Sequence, residues 1–133
     1  MTTTIGIAIR CDTDIVLARQ EARAIAKELG FAGSDLTLIA TALSELARNI
    51  IEYAQRGEII LSRTRQGPRL GLTIIAKDHG PGISNLERAM QDGYSTGNGL
   101  GLGLPGTRRL MDEFHIESAP GLGTTVRVTK WLK

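Results

Sequence analysis

The chain has 133 residues, 41% of them hydrophobic and 23% charged, the size and composition of one globular domain expected to span 1–133 with an ordinary core. A formal charge of +2 with no block of like charge argues against a nucleic-acid surface, and the single cysteine, Cys11, excludes an internal disulfide and fits a reducing cytoplasm. The first residues carry no basic n-region, and no apolar run approaches the roughly 20 residues of a bilayer span, so neither a leader nor a membrane is expected.

Ile5, Ile7 and Ile9 alternate with smaller or polar neighbours, as in a half-buried strand. Asp12 or Asp14 is placed to cap a helix carrying Leu17, Ala18, Ala22, Ile25, Ala26 and Leu29, with Gly30 as its stop. Ser34 is placed to cap a second helix running to about Tyr53, in which Leu36, Ile39, Ala40, Leu43, Leu46, Ala47 and Ile50 recur at spacings of three and four; Gly57 ends it. Glu58 to Thr64 and Leu70 to Lys77 read as strands joined by a Gln66-Gly67-Pro68 turn. Residues 79–103 hold no strong period and many Gly, Ser and Asn, which predicts a long functional loop.

Pro105 suits the first turn of a third helix, running to about Phe114, and two strands follow, His115 to Ser118 and Thr124 to Leu132. The order β-α-α-β-β-loop-α-β-β is not the alternation of a doubly wound fold. It predicts an α+β two-layer sandwich, with a mixed β-sheet and helices on one face.

Glu45 and Asn49 are four apart and project from one helix face. An amide oxygen at Asn49 suits Mg²⁺, which keeps several waters and binds phosphates, and a carboxylate one turn away can orient or deprotonate a nucleophile. Asp78 closes a strand and opens a turn whose glycines, Gly80 and Gly82, let backbone pass close to a ligand; its carboxylate can accept from an exocyclic amine. The stretch Gly101-x-Gly103-x-x-Gly106 matches a dinucleotide fingerprint only in letters. It follows a loop rather than a strand, and Gly123 stands where an acidic residue about 20 positions on is required. A Walker A sequence is absent. Bare backbone N–H groups leading into a helix N-terminus still favour phosphate.

Taken together, Glu45-Leu46-Ala47-Arg48-Asn49, Asp78-His79-Gly80-Pro81-Gly82-Ile83, Gly99-Leu100-Gly101-Leu102-Gly103 and Gly123-Thr124 resemble the N box, the two glycine boxes and the closing Gly-Thr of the GHKL superfamily, the Bergerat ATP-binding fold of gyrase, Hsp90, MutL and histidine kinases. Within it the chain looks like the small bacterial serine kinases of partner-switching pathways, on the stressosome side. That likeness rests on Ala22 to Phe31, Ser44 to Ile50, Gly106 to Phe114 and Lys130-Trp131-Leu132.

The resemblance implies ATP and Mg²⁺ as cofactors. Asn49 would bind the metal, Asp78 would read the adenine amine, and Thr124 would support that contact. Glu45 would position or deprotonate the acceptor hydroxyl. Gly80, Gly82, Ile83 and Leu102 belong to the implied nucleotide-binding set, with Gly99, Gly101 and Gly103 shaping the phosphate lid. Implied partners are STAS-domain antagonist and scaffold proteins, whose serines would be phosphorylated, and a serine phosphatase activated by binding.

Two departures from relatives leave the cation near the γ-phosphate open: Glu52 stands where many histidine kinases have lysine, and Asn98 where anti-sigma relatives have a basic residue. Arg48, Arg108 and Arg109 are the candidates. An anti-sigma factor kinase, an ATP-gated binding switch with little catalysis and a plain ATPase are the rival readings.

Overall fold

The computed structural model describes residues 4–82 and 103–133. Its elements are β1 (Thr4–Ile9), α1 (Asp12–Leu29), α2 (Ser34–Ala54), β2 (Gly57–Gln66), β3 (Arg69–Asp78), α3 (Gly103–Leu110), β4 (Glu113–Ala119) and β5 (Gly123–Trp131). The five strands form one sheet in the order β1-β2-β3-β5-β4. The two-layer α+β architecture is the expected one, but all four pairings are antiparallel, which corrects the expectation of a mixed sheet. The reason lies in the connections. The path from β3 through α3 ends on the far edge as β4, and β5 returns as a hairpin into the gap between β3 and β4.

Alternation along the strands becomes rows across the sheet. One row on the helix-covered face runs Ile5, Leu61, Ile74, Val128 and Phe114; the next runs Ile7, Ile59, Ala76, Val126 and Ile116. Against these rows α2 lays Ile39, Leu43, Leu46 and Ile50, all at most 2% exposed. Their three-and-four spacing puts them on one stripe, and each buried Leu or Ile contributes about 1.5–3 kcal/mol. A Leu43→Ala change would leave a cavity costing about 2–5 kcal/mol. From α1 come Ile15 and Ile25 with Ala18, Ala22 and Ala26, whose small side chains let the helix lie close against α2 and β1.

Helix ends depart from expectation in detail. Cys11, in extended backbone, is the N-cap of α1 and makes no side-chain cap bond. Asp14 instead reaches back to accept from the Arg10 N–H at 2.9 Å, and that bond holds its carboxyl below the ordinary value. The C-terminus is a Schellman stop, as expected at Gly30: Phe31 N–H bonds Ala26 O and Gly30 N–H bonds Lys27 O. Gly33, not Ser34, caps α2, and Gln55, with φ of 69°, ends it before Gly57, which opens β2.

The third helix ends at Leu110, before the expected Phe114. Lys130 Nζ donates to Leu110 O at 3.3 Å, Asp112 N–H donates to Thr129 O at 2.9 Å, and Trp131 N–H donates to Asp112 Oδ2 at 2.7 Å. These bonds from β5 stop α3 at Leu110, so Phe114 leaves the helix to pair with Val128.

On the sheet face opposite the described helices, Thr73 Oγ1 is within 2.9 Å of Thr129 Oγ1 and also bonds Thr64 Oγ1. Trp131 lies over Gly71, its indole N–H donating to Glu113 Oε2 at 2.6 Å and the Arg69 guanidinium stacked 4.3 Å from its ring. Among the described residues no helix is long and apolar enough to cross a membrane.

Candidate nucleotide site

A third row follows the two apolar rows on the same sheet face: Ile9, Gly57, Asp78, Thr124 and Ser118. Its β3–β5–β4 half is polar, so the site starts where the core stops. Asp78 Oδ1 accepts the Gly80 N–H at 2.9 Å and the Thr124 N–H at 3.2 Å. Thr124 Oγ1 is 2.8 Å from Ser118 Oγ, and Ser118 also donates to Gly123 O at 2.9 Å. Both bonds to Asp78 use one oxygen. Oδ2 accepts from no described residue, so among them nothing competes with a donor from outside.

The glycines are packing requirements. A Cβ on Gly80 would sit 2.6 Å from the Ala54 Cβ and 3.1 Å from Tyr53 O, so this turn rests directly on the last turn of α2. Gly123, at φ of 81°, would drive a Cβ to 2.3 Å from Asp78 O. The two strand ends meet with backbone on backbone, and only glycine fits.

Glu45 and Asn49 stand on one face of α2, as their spacing requires. Glu45 is 8% exposed and Asn49 half-buried. Glu45 Oε1 accepts from Arg48 Nη1 at 3.1 Å. With Thr37, Ala40, Thr41 and Ser44 of α2 and Arg19 and Arg23 of α1, Glu45 and Arg48 line an open groove of about 300 Å³. Along α2, Ala54 lies nine positions beyond Glu45, about 14 Å of helix, so the carboxylate stands some two and a half turns from the Asp78 turn.

Among the described residues no group of three or more His, Cys, Asp or Glu could hold a metal by itself. A hard cation on the Asn49 amide would take its remaining ligands from phosphate and water, which is how Mg²⁺ is ordinarily held. The donor set therefore fits a metal that arrives with a nucleotide, and Asp78 Oδ2 fits an amine donor.

Of the expected site residues, the structure brings Asp78, Gly80, Gly82 and Thr124 together around one turn, and puts Glu45 and Asn49 on the helix that carries that turn. Gly82, at φ of 79°, sits against Ala119 O, and Pro81 O accepts the Gly121 N–H at 2.7 Å. Gly103 opens α3, which packs on α2. Ile83, Gly99, Gly101 and Leu102 lie outside the described residues. Sequence reasoning missed Ser118, whose only signal is its register opposite Thr124, and the α1 side of the groove, Arg19 and Arg23, which look like ordinary charged positions of an amphipathic helix.

The model of the histidine kinase-like ATPase domain family matches residues 10–130. The serine/threonine-protein kinase RsbT of Bacillus subtilis is 50% identical over 127 residues, covering 96% of each chain. The anti-sigma F factor of a Thermoanaerobacter species is 33% identical over 121 residues, covering 86% of this chain and 83% of its own. Among solved structures, the RsbU and RsbW domains of a Mycobacterium tuberculosis protein superpose with a TM-score of 0.64 at 20% identity, covering 100% of this chain and 33% of that one, which shows the shared fold. With the site's polar row, the helix-borne Glu and Asn and a match spanning nearly every described element, the chain belongs to the histidine kinase-like ATPase domain family.

Proposed function

We propose that this protein is an ATP-dependent protein-serine kinase that acts as a partner switch. Kinase activity is supported by the half-identity to the Bacillus subtilis serine/threonine kinase along 96% of both chains; the lower identity to the anti-sigma F factor makes that reading second. The structural observation that carries nucleotide use is Asp78, one carboxylate oxygen locked by two backbone N–H groups and the other open.

In this reading Asp78 Oδ2 accepts from the adenine amine, and Thr124 holds Asp78 in place from the neighbouring strand. Asn49 holds Mg²⁺, which when bound neutralises phosphate charge. Glu45 orients the acceptor serine hydroxyl and takes its proton as the serine oxygen bonds the γ-phosphorus and the bond to the ADP oxygen breaks. Gly80, Gly82, Ile83, Leu102 and glycines 99, 101 and 103 complete the nucleotide enclosure. The acceptors are serines on STAS-domain antagonists and scaffolds; the added phosphate repels the interface and frees the kinase to bind and activate a serine phosphatase in a cytoplasmic stress cascade.

Incubation with Mg-ATP labelled on the γ-phosphate and a STAS-domain protein tests this directly. Label on a partner serine is the expected result. Tight nucleotide-dependent binding without transfer would replace the kinase by an ATP-gated switch, and release of inorganic phosphate alone would make it an ATPase.

A further inference from the structure

Glu45 is the one acidic side chain among the buried described residues. A carboxylate taken out of water is costly unless a charge and hydrogen bonds compensate it. Arg48 supplies both from one turn away. Its side chain is 42% exposed against 10% for Glu45, so the guanidinium carries the charge of the pair toward solvent. Because both residues sit on α2, three apart, their pairing is set by that helix alone and needs neither a nucleotide nor the segment before α3.

The other two guanidinium groups of the groove do not share this role. Arg19 Nη1 donates to Ser44 Oγ at 3.3 Å, and Ser44 in turn donates to Ala40 O at 2.8 Å. Arg23 lines the groove and bonds no described residue. Among the described residues only Arg48 bonds the carboxylate, and it does so through Oε1 alone. Oε2 accepts from no described residue, while the carboxylate lines the open groove. One oxygen is pinned and the other is available.

We propose that Arg48 is a positioning residue for phosphoryl transfer: by pinning Oε1 it aims Glu45 Oε2 at the acceptor hydroxyl where the α1–α2 groove opens. The proposal rests on the role given to Glu45 above. The serine O–H donates to Oε2, the proton passes there as the oxygen–phosphorus bond forms, and the electron pair of the broken bond leaves with ADP. Arg48 touches neither nucleotide nor acceptor in this arrangement.

Single-turnover transfer at saturating Mg-ATP and STAS-domain acceptor, with calorimetric Mg-ATP affinity, tests it in four variants: Glu45→Gln, Arg48→Gln, the double variant, and Arg48→Lys. Arg48→Gln should lose about 10²-fold in transfer, the scale of a misplaced reacting group, with Mg-ATP affinity unchanged. In the Glu45→Gln background the second change should cost nothing more, because Arg48 acts through Glu45. Arg48→Lys, which keeps a point charge but not the planar fork, should recover part of the loss and covers the case in which the glutamine variant fails to fold.

Losses that add in the double variant, a wild-type rate in Arg48→Gln, or a weakened Mg-ATP affinity each overturn the proposal, the last by making Arg48 a nucleotide contact. A wild-type rate in Glu45→Gln is a different failure: it removes the carboxylate from the chemistry, and this inference with it.

Discussion

Thr124 and Asp78 stand directly opposite each other in the β3–β5 pairing, 46 positions apart in the chain, and the Thr124 backbone N–H closes on Asp78 Oδ1 at 3.2 Å. The Asp78 carboxylate is therefore held by the last strand of the chain. Its orientation depends on completing the sheet, not on the local turn alone.

Asp78→Asn should test base recognition. The amide has one oxygen, which the Gly80 and Thr124 N–H groups will claim, so its NH₂ faces the adenine amine, donor against donor. Loss of a charge-assisted hydrogen bond costs about 1.5–3 kcal/mol, roughly a 10- to 150-fold rise in the Kd for ATP. Calorimetry showing ATP bound as tightly as by the wild type would take Asp78 out of the base pocket.

Asn49→Ala should remove the Mg²⁺-dependent part of ATP affinity while the protein stays folded. The side chain is half-buried on α2 and outside the stripe of Leu and Ile that forms the core, so the stability change should stay within about 1 kcal/mol. Titrating ATP with and without Mg²⁺ gives the answer: a folded variant that keeps the wild-type difference contradicts the assignment.

Gly80→Ala should strike Ala54 on the last turn of α2. Overpacking of this kind costs about 1–3 kcal/mol and pushes the Asp78 turn off the helix, so both the thermal midpoint and ATP affinity should fall. Ala54→Gly removes the nearest of these contacts, leaving the residue 54 Cα at 3.0 Å and Tyr53 O at 3.1 Å, and so relieves part of the clash. The double variant should be more stable than the sum of the two single losses, and strict additivity in the melts would show that the two sites do not meet.

Asp14→Asn should reveal a pH-dependent contribution at the start of α1. The Arg10 N–H and the Arg10 charge hold the Asp14 carboxyl below its ordinary 3.8. A depressed folded-state value stabilises the native protein above the unfolded value and is lost as pH falls through the folded one. Denaturant melts should thus separate the two proteins at pH 7 and bring them together as pH drops below about 4. An equal gap at both pH values would show that the ionised carboxylate is not what stabilises this helix start.

Much of the fold could be read from local pattern because the pattern has a local cause. The three-and-four spacing of Leu36 to Ile50 makes the α2 stripe, and alternation in Ile59 and Leu61, and in Leu72, Ile74 and Ala76, makes the apolar rows. Glu45 and Asn49 share a face by helix geometry, and Asp78 ends β3 where the turn residues begin. What could not be read depends on partners far along the chain. Strand direction and order come from where β5 inserts, the end of α3 is imposed by Lys130 and Trp131 through Leu110 O and Asp112, and Ser118 matters only because Thr124 lies opposite. Gly33 in place of Ser34 as the α2 cap is a smaller case, in which a backbone turn took a position that a side chain could have capped.

The chain holds one tryptophan, and the fold has put Trp131 on the sheet face away from the helices, beside Gly71, seven residues back along β3 from Asp78, or about 23 Å of strand. Its fluorescence is therefore a reporter insulated from the nucleotide. Filling the ATP site should leave the emission nearly unchanged, whereas unfolding will expose the indole by stripping away Arg69 and Glu113. The same optical signal can thus follow the stability of every variant above at any nucleotide concentration, and an emission change on adding a partner protein would mark contact near Trp131.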